Sequence, residues 1–249
     1  SASPFPHIVF DDLFPEELLD HIIEEFPDEN DSTWKKFNND KEVKLASQGD
    51  EVLGPYTRAF INNLNSGTFI NFLEELTGIE GLIPDPQLVG AGMHRIMPGG
   101  KLGIHADFNK HNRMNLDRRL NVLVYLNKDW DESYGGHFEL WNHEMTEAVV
   151  KVLPVFNRMA MFTTTSTSWH GHPNPLTCPE DRSRRSIALY YYTVGRPEDE
   201  AHDSHSTLFQ ERPGEKFRND IPVGSRIKDV IKDFIPPIFL KLKNRNKIA

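Results

Sequence analysis

A histidine and an aspartate two residues apart form the stretch of this sequence best suited to holding a metal ion. The stretch is Gly-Ile-His-Ala-Asp-Phe, and the two polar residues are His105 and Asp107. Side chains of a β-strand alternate between its faces, so within a strand these two would project from the same face. An imidazole and a carboxylate held side by side can occupy adjacent corners of a metal's coordination sphere. The pattern occurs by chance in many chains, so the prediction depends on what else the chain supplies.

A third ligand must come from another part of the chain, and His170, in Ser-Trp-His-Gly-His, is the best candidate. Two histidines and one carboxylate on one face of a metal, with the other positions open, are the ligand set of non-haem Fe(II) oxygenases. His172 would lie on the same face as His170 and is its one rival. The remaining histidines considered fit surface or hydrogen-bonded positions better than metal ligation: His94, His111, His137 and His143.

A basic residue suited to an anionic ligand lies in the later segment Arg-Ser-Arg-Arg-Ser-Ile-Ala. Alternation would place Arg184 on one face with Ser186 and Ala188, and Arg185 on the other. The small side chains beside Arg184 leave room for a ligand, whose carboxylate a guanidinium can take through two parallel hydrogen bonds. We therefore favour Arg184 over Arg185 for this role.

Two further segments would complete a ligand pocket. In Leu-Asn-Val-Leu-Val-Tyr-Leu, alternation places Asn121 and Tyr125 on one face, so the Tyr125 hydroxyl can reach the same carboxylate. A tyrosine packed in the core with a satisfied hydroxyl is nearly as good an interpretation. Gly135 and Gly136 open the next segment and suit a tight turn at the rim of a barrel.

The elements that would position these residues are short β-strands separated by Gly, Pro and Asn/Asp clusters. Eight strands are predicted, near 88–97, 101–107, 119–127, 136–142, 147–153, 158–164, 167–172 and 184–194. Eight short strands at this spacing indicate a mainly β jelly roll or barrel rather than alternating β-α units. We predict residues 1–87 to be a supporting region, 88–200 the catalytic core and 201–249 a C-terminal extension, within a single domain.

The supporting region is predicted to contain a strand near 4–10 and a helix within 12–27, which has an apolar stripe at helical spacing. Residues 28–50 are polar and aperiodic and predict a loop that could border a substrate cleft. A second helix is predicted from Ser66, a suitable N-cap, to Gly78, a suitable C-terminal residue. This helix is expected to bury Phe69, Ile70, Phe72, Leu73 and Leu76.

The C-terminal extension has the opposite charge to the rest of the chain. From residue 226 onward seven Lys/Arg stand against two Asp, whereas the whole chain has a formal net charge of −9. The amphipathic segment 225–235 predicts a helix. We favour a helix docked on the domain with a frayed basic end, and the alternative is a contact for an anionic membrane surface or acidic partner.

Composition narrows the functional classes. An acidic chain is not expected to have nucleic acid as its main partner. The single cysteine, Cys178, cannot form an internal disulfide, and the N-terminus lacks the layout of a signal peptide. We therefore expect a cytoplasmic protein, with peripheral attachment to the inner face of a membrane as the variant that the basic C-terminus suggests.

Together these motifs resemble the prolyl-4-hydroxylase-like branch of the Fe(II)/2-oxoglutarate dioxygenases. The resemblance covers about residues 88–194 and rests on several segments in order: His105-Ala106-Asp107, the stretch 121–130, Gly135-Gly136, His170 and Arg184-Arg185-Ser186-Ile187. It implies a double-stranded β-helix (a cupin-like jelly roll) with the N-terminal helices on one sheet. It also implies hydroxylation of an unactivated C–H bond, with 2-oxoglutarate decarboxylated to succinate and CO₂.

The resemblance implies roles for individual residues. His105, Asp107 and His170 would ligate Fe(II). Four others would contact 2-oxoglutarate: Arg184, Tyr125, Ser186 and Asn121. Ascorbate is a further cofactor candidate. Many relatives carry a tyrosine just ahead of the Pro-Gly turn, where this chain has Ile96, so one hydrogen bond to 2-oxoglutarate is expected to be absent or supplied differently.

Three alternatives stay open. A jelly-roll binding module without catalysis is disfavoured because the three ligands and the basic residue are all present. A zinc hydrolase using the same ligands gives Arg184 no role. Within the oxygenases, the substrate is undetermined: peptidyl proline is the natural expectation, while a lipid or glycan intermediate at a membrane surface would use the basic C-terminus.

Overall fold

A computed structural model describes residues 2–217, and its secondary structure is mainly β. The first third of the chain contains β1 (His7–Asp11), α1 (Glu16–Glu24), β2 (Lys35–Asn38), β3 (Glu42–Ala46), α2 (Pro55–Leu64), α3 (Gly67–Thr77) and β4 (Ile83–Pro84). The remainder contains β5 (Gly92–Ile96), β6 (Lys101–Ala106), β7 (Asp117–Tyr125), β8 (Phe138–Trp141), β9 (Ala148–Val152), β10 (Arg158–Thr163), β11 (His170–His172), β12 (Arg184–Thr193) and β13 (Leu208–Phe209). Short 3₁₀ helices lie at Glu132–Tyr134 and Glu198–Glu200.

The strands form one curled, antiparallel sheet. Hydrogen-bonded neighbours run in the order β1-β10-β7-β12-β5-β3-β6-β11-β8-β9, with β2 beside β3, β4 beside β12 and β13 beside β6. Strands far apart in sequence are therefore adjacent, as in a jelly roll. The predicted fold class, a mainly β jelly roll with N-terminal helices against one sheet, is confirmed.

The main core lies between the helices and the outer face of strands β7, β10 and β12. Leu19 and Ile22 of α1 pack in the same apolar cluster as Val122 and Val124 of β7, and all four are fully buried. Each such buried aliphatic side chain contributes about 2 kcal/mol to the free energy of unfolding. The alternate residues of the same strands face inward, toward a smaller cluster inside the jelly roll that includes Tyr125.

The helix boundaries predicted around residues 66–78 agree with the structure, but the predicted burial is partly wrong. The Ser66 hydroxyl accepts a hydrogen bond from the Phe69 amide, and Gly78 ends the helix with a φ of 69°. Leu73 is fully buried, whereas Phe72 and Leu76 are 36% and 38% exposed. Helix α3 lies on the outside of the fold and needs only a narrow apolar stripe, so its wider apolar surface stays at solvent.

The region predicted as a loop over 28–50 instead contains the hairpin β2–β3. Strand β3 also pairs with β5 and with β6, so it lies between these two strands and joins them in the sheet. Helix α2 was not predicted, and neither was β13, which pairs with β6. The predicted C-terminal helix at 225–235 lies outside the described residues. Within residues 2–217, no helix combines the length and the hydropathy required to traverse a bilayer.

Candidate active site

Three predicted metal ligands meet at one end of the jelly roll. His105 lies near the end of β6, and His170 opens β11 directly opposite it in the register of the two strands. The Nε2 atom of His105 is 3.6 Å from Asp107 Oδ1, and that of His170 is 3.3 Å from Asp107 Oδ2. One potential ligand atom from each residue lies within 4.8 Å of the others. A single cation can contact all three.

Backbone carbonyls fix both imidazoles with Nε2 toward this point. His105 Nδ1 is 2.9 Å from the Gly103 carbonyl oxygen, and His170 Nδ1 is 2.8 Å from that of Ser168. A carbonyl can only accept, so each Nδ1 carries the proton and each Nε2 presents its lone pair. Burial lowers the pKa of His105, which keeps its ring in the neutral, ligating form.

The Asp107 carboxylate is held by two donors on strand β7. Arg118 Nη2 donates to Asp107 Oδ2 at 2.9 Å, and Asn121 Nδ2 donates to the same oxygen at 2.7 Å. Arg118 Nε also donates to Asn121 Oδ1 at 2.8 Å, which joins the two donors. Burial alone would raise the pKa of Asp107, but the charge of the Arg118 guanidinium outweighs it and helps to hold the pKa well below its usual range. Oδ1 is left available to a metal.

Arg118 was not predicted, because it precedes the predicted strand 119–127 and because a β-bulge sets the direction of its side chain. Strict alternation along β7 would place Arg118 on the face opposite Asn121. The register with β12 shifts here: Tyr191 pairs with Leu120, but Tyr192 pairs with Arg118. The extra residue, Arg119, brings Arg118 onto the inward face. Asn121, predicted to contact 2-oxoglutarate, is placed by the structure on Asp107 while also lining the cavity behind the ligands.

Behind the three ligands lies a cavity of about 80 Å³, called here the inner cavity. Its wall includes Arg184 and Ser186, whereas Arg185 faces a different, outer depression. Arg184 Nε donates to the Gly136 carbonyl oxygen at 2.9 Å, and its guanidinium carbon is 5.0 Å from the centre of the Tyr125 ring. Alternation along β12 therefore assigned Arg184 to the correct face.

The inner cavity contains polar groups that no protein atom satisfies. Neither ring nitrogen of His172 has a hydrogen-bond partner within residues 2–217, and the buried Tyr125 side chain lies beside Arg184, which also lines this cavity. Buried polar groups are rarely left unpaired, so a polar ligand is expected there. These groups and Arg184 fit the carboxylate-bearing 2-oxoglutarate, and His172 offers a hydrogen bond on a wall where Ile96 supplies none.

The remaining histidines do not join the metal ligands. His172 lies past a register shift, opposite Leu102 instead of His105, and belongs to the inner cavity. Burial, then Arg184, holds its pKa well below the usual range. His94 is the other histidine of this cavity; burial lowers its pKa to about 3. His111 is buried beside Asp85, and His137 and His143 lie outside both the inner cavity and the ligand set.

A second, larger space lies in front of the ligands and is called here the outer cleft. It has a volume of about 660 Å³, and both His105 and Asp107 line it. Hairpin β2–β3 forms one wall, and Phe108, Arg113 and Arg118 contribute to another. Residues from the region 28–50 thus border a cleft, as predicted, but they do so as the strands of a hairpin and not as a loop.

Comparison with known proteins agrees with this geometry. Residues 91–192 match the family model described as the 2OG-Fe(II) oxygenase superfamily. A prolyl-4-hydroxylase of Pseudomonas putida is 15% identical, with a TM-score of 0.57, covering 78% of this chain and 95% of its own. A prolyl hydroxylase from Trichoplax adhaerens, solved with a hypoxia inducible factor peptide fragment, is 18% identical, with a TM-score of 0.55, covering 75% and 83%.

HygX from Streptomyces hygroscopicus, solved with nickel, 2-oxoglutarate and hygromycin B, is also similar. It is 11% identical, with a TM-score of 0.52, covering 82% of this chain and 93% of its own. Identities this low establish the fold and leave the substrate open. Together with the family match, they confirm the resemblance to the prolyl-4-hydroxylase-like Fe(II)/2-oxoglutarate oxygenases that the motifs indicated.

Proposed function

We propose that this chain, whose residues 91–192 match the 2OG-Fe(II) oxygenase family model, is an oxygenase that hydroxylates an unactivated C–H bond of its substrate. In the overall reaction, one O₂ would be consumed: one of its oxygen atoms would enter succinate as 2-oxoglutarate loses CO₂, and the other would convert the C–H bond of the substrate to C–OH. The observation that carries the proposal is the meeting of His105, Asp107 and His170 within 4.8 Å, at the mouth of a cavity whose wall holds Arg184.

Fe(II) would be held by the Nε2 atoms of His105 and His170 and by Asp107 Oδ1. Arg118 and Asn121 occupy Oδ2, so Asp107 is disposed to bind the metal through one oxygen only. Three protein ligands on one face leave positions open for a co-substrate and O₂. A carboxylate at position 107 also occupies the place where a halide would otherwise bind, which favours hydroxylation over halogenation.

Arg184 would hold the distal carboxylate of 2-oxoglutarate, with Ser186 on the same cavity wall. The Tyr125 hydroxyl, on the ring beside the Arg184 guanidinium, is proposed as a second contact. Iron and 2-oxoglutarate, once bound, supply the oxidising power of the reaction. The protein would orient the co-substrate and exclude water from the metal site. The ring centres of Phe162 and Phe138 lie 4.5 Å and 5.7 Å from the ring centre of His170. Both rings are buried and leave this side of the ligands apolar.

A reductant and a cellular location complete the proposal. Ascorbate is proposed as a reductant that maintains ferrous iron. A cytoplasmic location is proposed from the single cysteine, which suits a reducing compartment. Contact with the inner face of a membrane is proposed from the charge of the basic segment after residue 225, whose residues lie outside those described. Sedimentation with anionic vesicles that disappears at high salt would support the contact; no sedimentation would remove it.

Anaerobic spectroscopy tests the assignment of iron and co-substrate together. Fe(II) followed by 2-oxoglutarate, added to metal-free protein, is expected to give the visible charge-transfer band of a chelated 2-oxo acid. The band is expected to be lost in His170→Ala, which removes one ligand. Correctly folded wild-type protein that gives no band would favour a binding module without redox chemistry.

A further inference from the structure

The outer cleft has a charge opposite to that of the protein. Its lining includes the cations Lys35, Lys44, Arg113 and Arg118. The anions there are Glu42 and Asp107. These four cationic and two anionic side chains give the cleft two excess positive charges. The charges of Fe(II) and dianionic 2-oxoglutarate would cancel each other, so this excess would remain in the assembled site. The whole chain, in contrast, carries −9.

Pairing inside the cleft leaves the excess charge at the rim. Lys44 Nζ is 3.1 Å from Glu42 Oε2, and Arg118 is paired with Asp107. Lys35 and Arg113 have no carboxylate within ion-pair distance in the described range 2–217, and their side chains contact an aromatic ring and an amide instead. The ammonium of Lys35 is 4.7 Å from the centre of the Phe37 ring, and Arg113 donates a hydrogen bond to Gln87.

Deeper in the cleft, Arg118 retains an unused hydrogen-bond donor. Its Nη1 is buried and has no acceptor within residues 2–217, while Nη2 and Nε are both engaged. The guanidinium carbon of Arg118 is 3.4 Å from the centre of the Tyr190 ring and 4.5 Å from that of Phe108. A buried donor of this kind is expected to meet an acceptor when the site is filled.

We propose that the primary substrate is a small-molecule anion with a phosphate or carboxylate group that meets the rim cations Lys35 and Arg113. Its ring or apolar part would pack on Phe37 and Phe108, and an oxygen would accept from Arg118 Nη1. A space of 660 Å³ is of the size that takes a small ligand. The inference rests on the proposed oxygenase function and replaces an uncharged prolyl peptide as the expected substrate.

The test compares matched sugars on protein loaded with Mn(II) and 2-oxoglutarate under nitrogen. Glucose 6-phosphate, glucuronate and glucose share a ring and differ in charge, and a proline peptide with blocked ends is the fourth probe. Broadening of each probe's proton NMR signals by Mn(II) reports binding near the metal. We expect saturable broadening by one or both anionic sugars, with glucose at least about tenfold weaker. The two anions separate a phosphate site from a carboxylate site.

Charge reversal provides the control. In the double variant Lys35→Glu, Arg113→Glu, we expect the anionic probes to bind at least about tenfold more weakly. Lys36→Glu changes an exposed neighbour on the same strand that does not line the cleft, and binding should be retained. High salt should weaken binding of the anions, because rim charges are screened.

Several outcomes would overturn the inference. These are equal binding of glucose and its charged analogues, no binding of any sugar, preferential binding of the blocked peptide, or anion binding that persists in the double variant and therefore reflects direct capture by Mn(II). The Fe(II)·2-oxoglutarate band of the double variant should match that of the wild type. A missing wild-type band would instead contradict the oxygenase function itself.

Discussion

Replacement of Arg118 by methionine tests how much this arginine contributes to holding the Asp107 carboxylate in place. Methionine keeps an unbranched apolar stem for packing on Tyr190 and removes the cation that holds Asp107 Oδ2 at 2.9 Å. Removing one partner of a buried ion pair costs about 3 to 5 kcal/mol in the free energy of unfolding. The Asp107 side chain is 12% exposed and keeps its hydrogen bond from Asn121, so the low end, about 3 kcal/mol, is expected for metal-free protein.

Metal binding should weaken in the same variant. Loss of a residue that orients a metal ligand typically lowers metal affinity by about 10- to 100-fold. The positive charge of Arg118 also repels the metal ion, and its removal would favour metal binding. Asp107 would contact the metal directly, so the loss of the residue that orients this carboxylate is expected to be the larger effect. Urea unfolding of metal-free protein and calorimetric titration with Mn(II) measure the two effects.

The sign of the pH dependence provides an independent check. The folded pKa of Asp107 is depressed, so its ion pair stabilises the fold above the ordinary carboxyl pKa, and this contribution is lost as pH falls through the folded pKa. Stability of the wild type should therefore fall more steeply in acid than that of Arg118→Met. Arg119→Met, which removes a neighbouring arginine paired with Glu200 instead, is the matched control. If Arg118→Met bound Mn(II) as tightly as the control, Arg118 would have no role in orienting Asp107.

Three further substitutions test the inner cavity. Arg184→Ala should raise the Kd for 2-oxoglutarate by about 100-fold in anaerobic titrations, and Arg185→Ala should leave it unchanged; the reverse result would mean that the inward face of β12 is misassigned. His172→Val should raise the same Kd by about tenfold, because its unpaired nitrogens are expected to meet the co-substrate, and an unchanged Kd would refute that contact. Gly136→Ala should lower the free energy of unfolding by more than Gly135→Ala, as measured in urea. Both glycines have positive φ, but a Cβ at 136 would lie 2.7 Å from a Leu176 carbon and 3.0 Å from Arg184 Cδ, whereas one at 135 meets nothing within 4 Å, so equal losses would argue against this close packing.

The sequence was most informative where strands are regular. Alternation placed His105 with Asp107. It also put Arg184 on the inward face of β12, where the ladder with β5 is uninterrupted from Arg184 to Ala188. It failed at Arg118 because the bulge that turns this side chain inward depends on the partner strand, which the local sequence does not show.

Other elements depend on contacts distant in sequence. Hairpin β2–β3 has a polar sequence and little strand signal, and its pairing with β5 and β6 overrides local propensity. Helix α2, in contrast, has a local signal in the sequence: Pro55 stands at its first position, and Phe60, Ile61 and Leu64 are buried at helical spacing. The exposure of Phe72 depends on which helices cover α3, which the sequence alone does not show.

The central claim is tested most directly by the fate of oxygen atoms during turnover. Protein supplied with Fe(II), 2-oxoglutarate and ¹⁸O₂ is expected to form succinate that carries one ¹⁸O atom, even from slow turnover without the primary substrate. Asp107→Ala, which removes a proposed ligand, should form none. Unlabelled succinate, or labelled succinate formed equally by Asp107→Ala, would contradict an oxygenase centred on His105, Asp107 and His170.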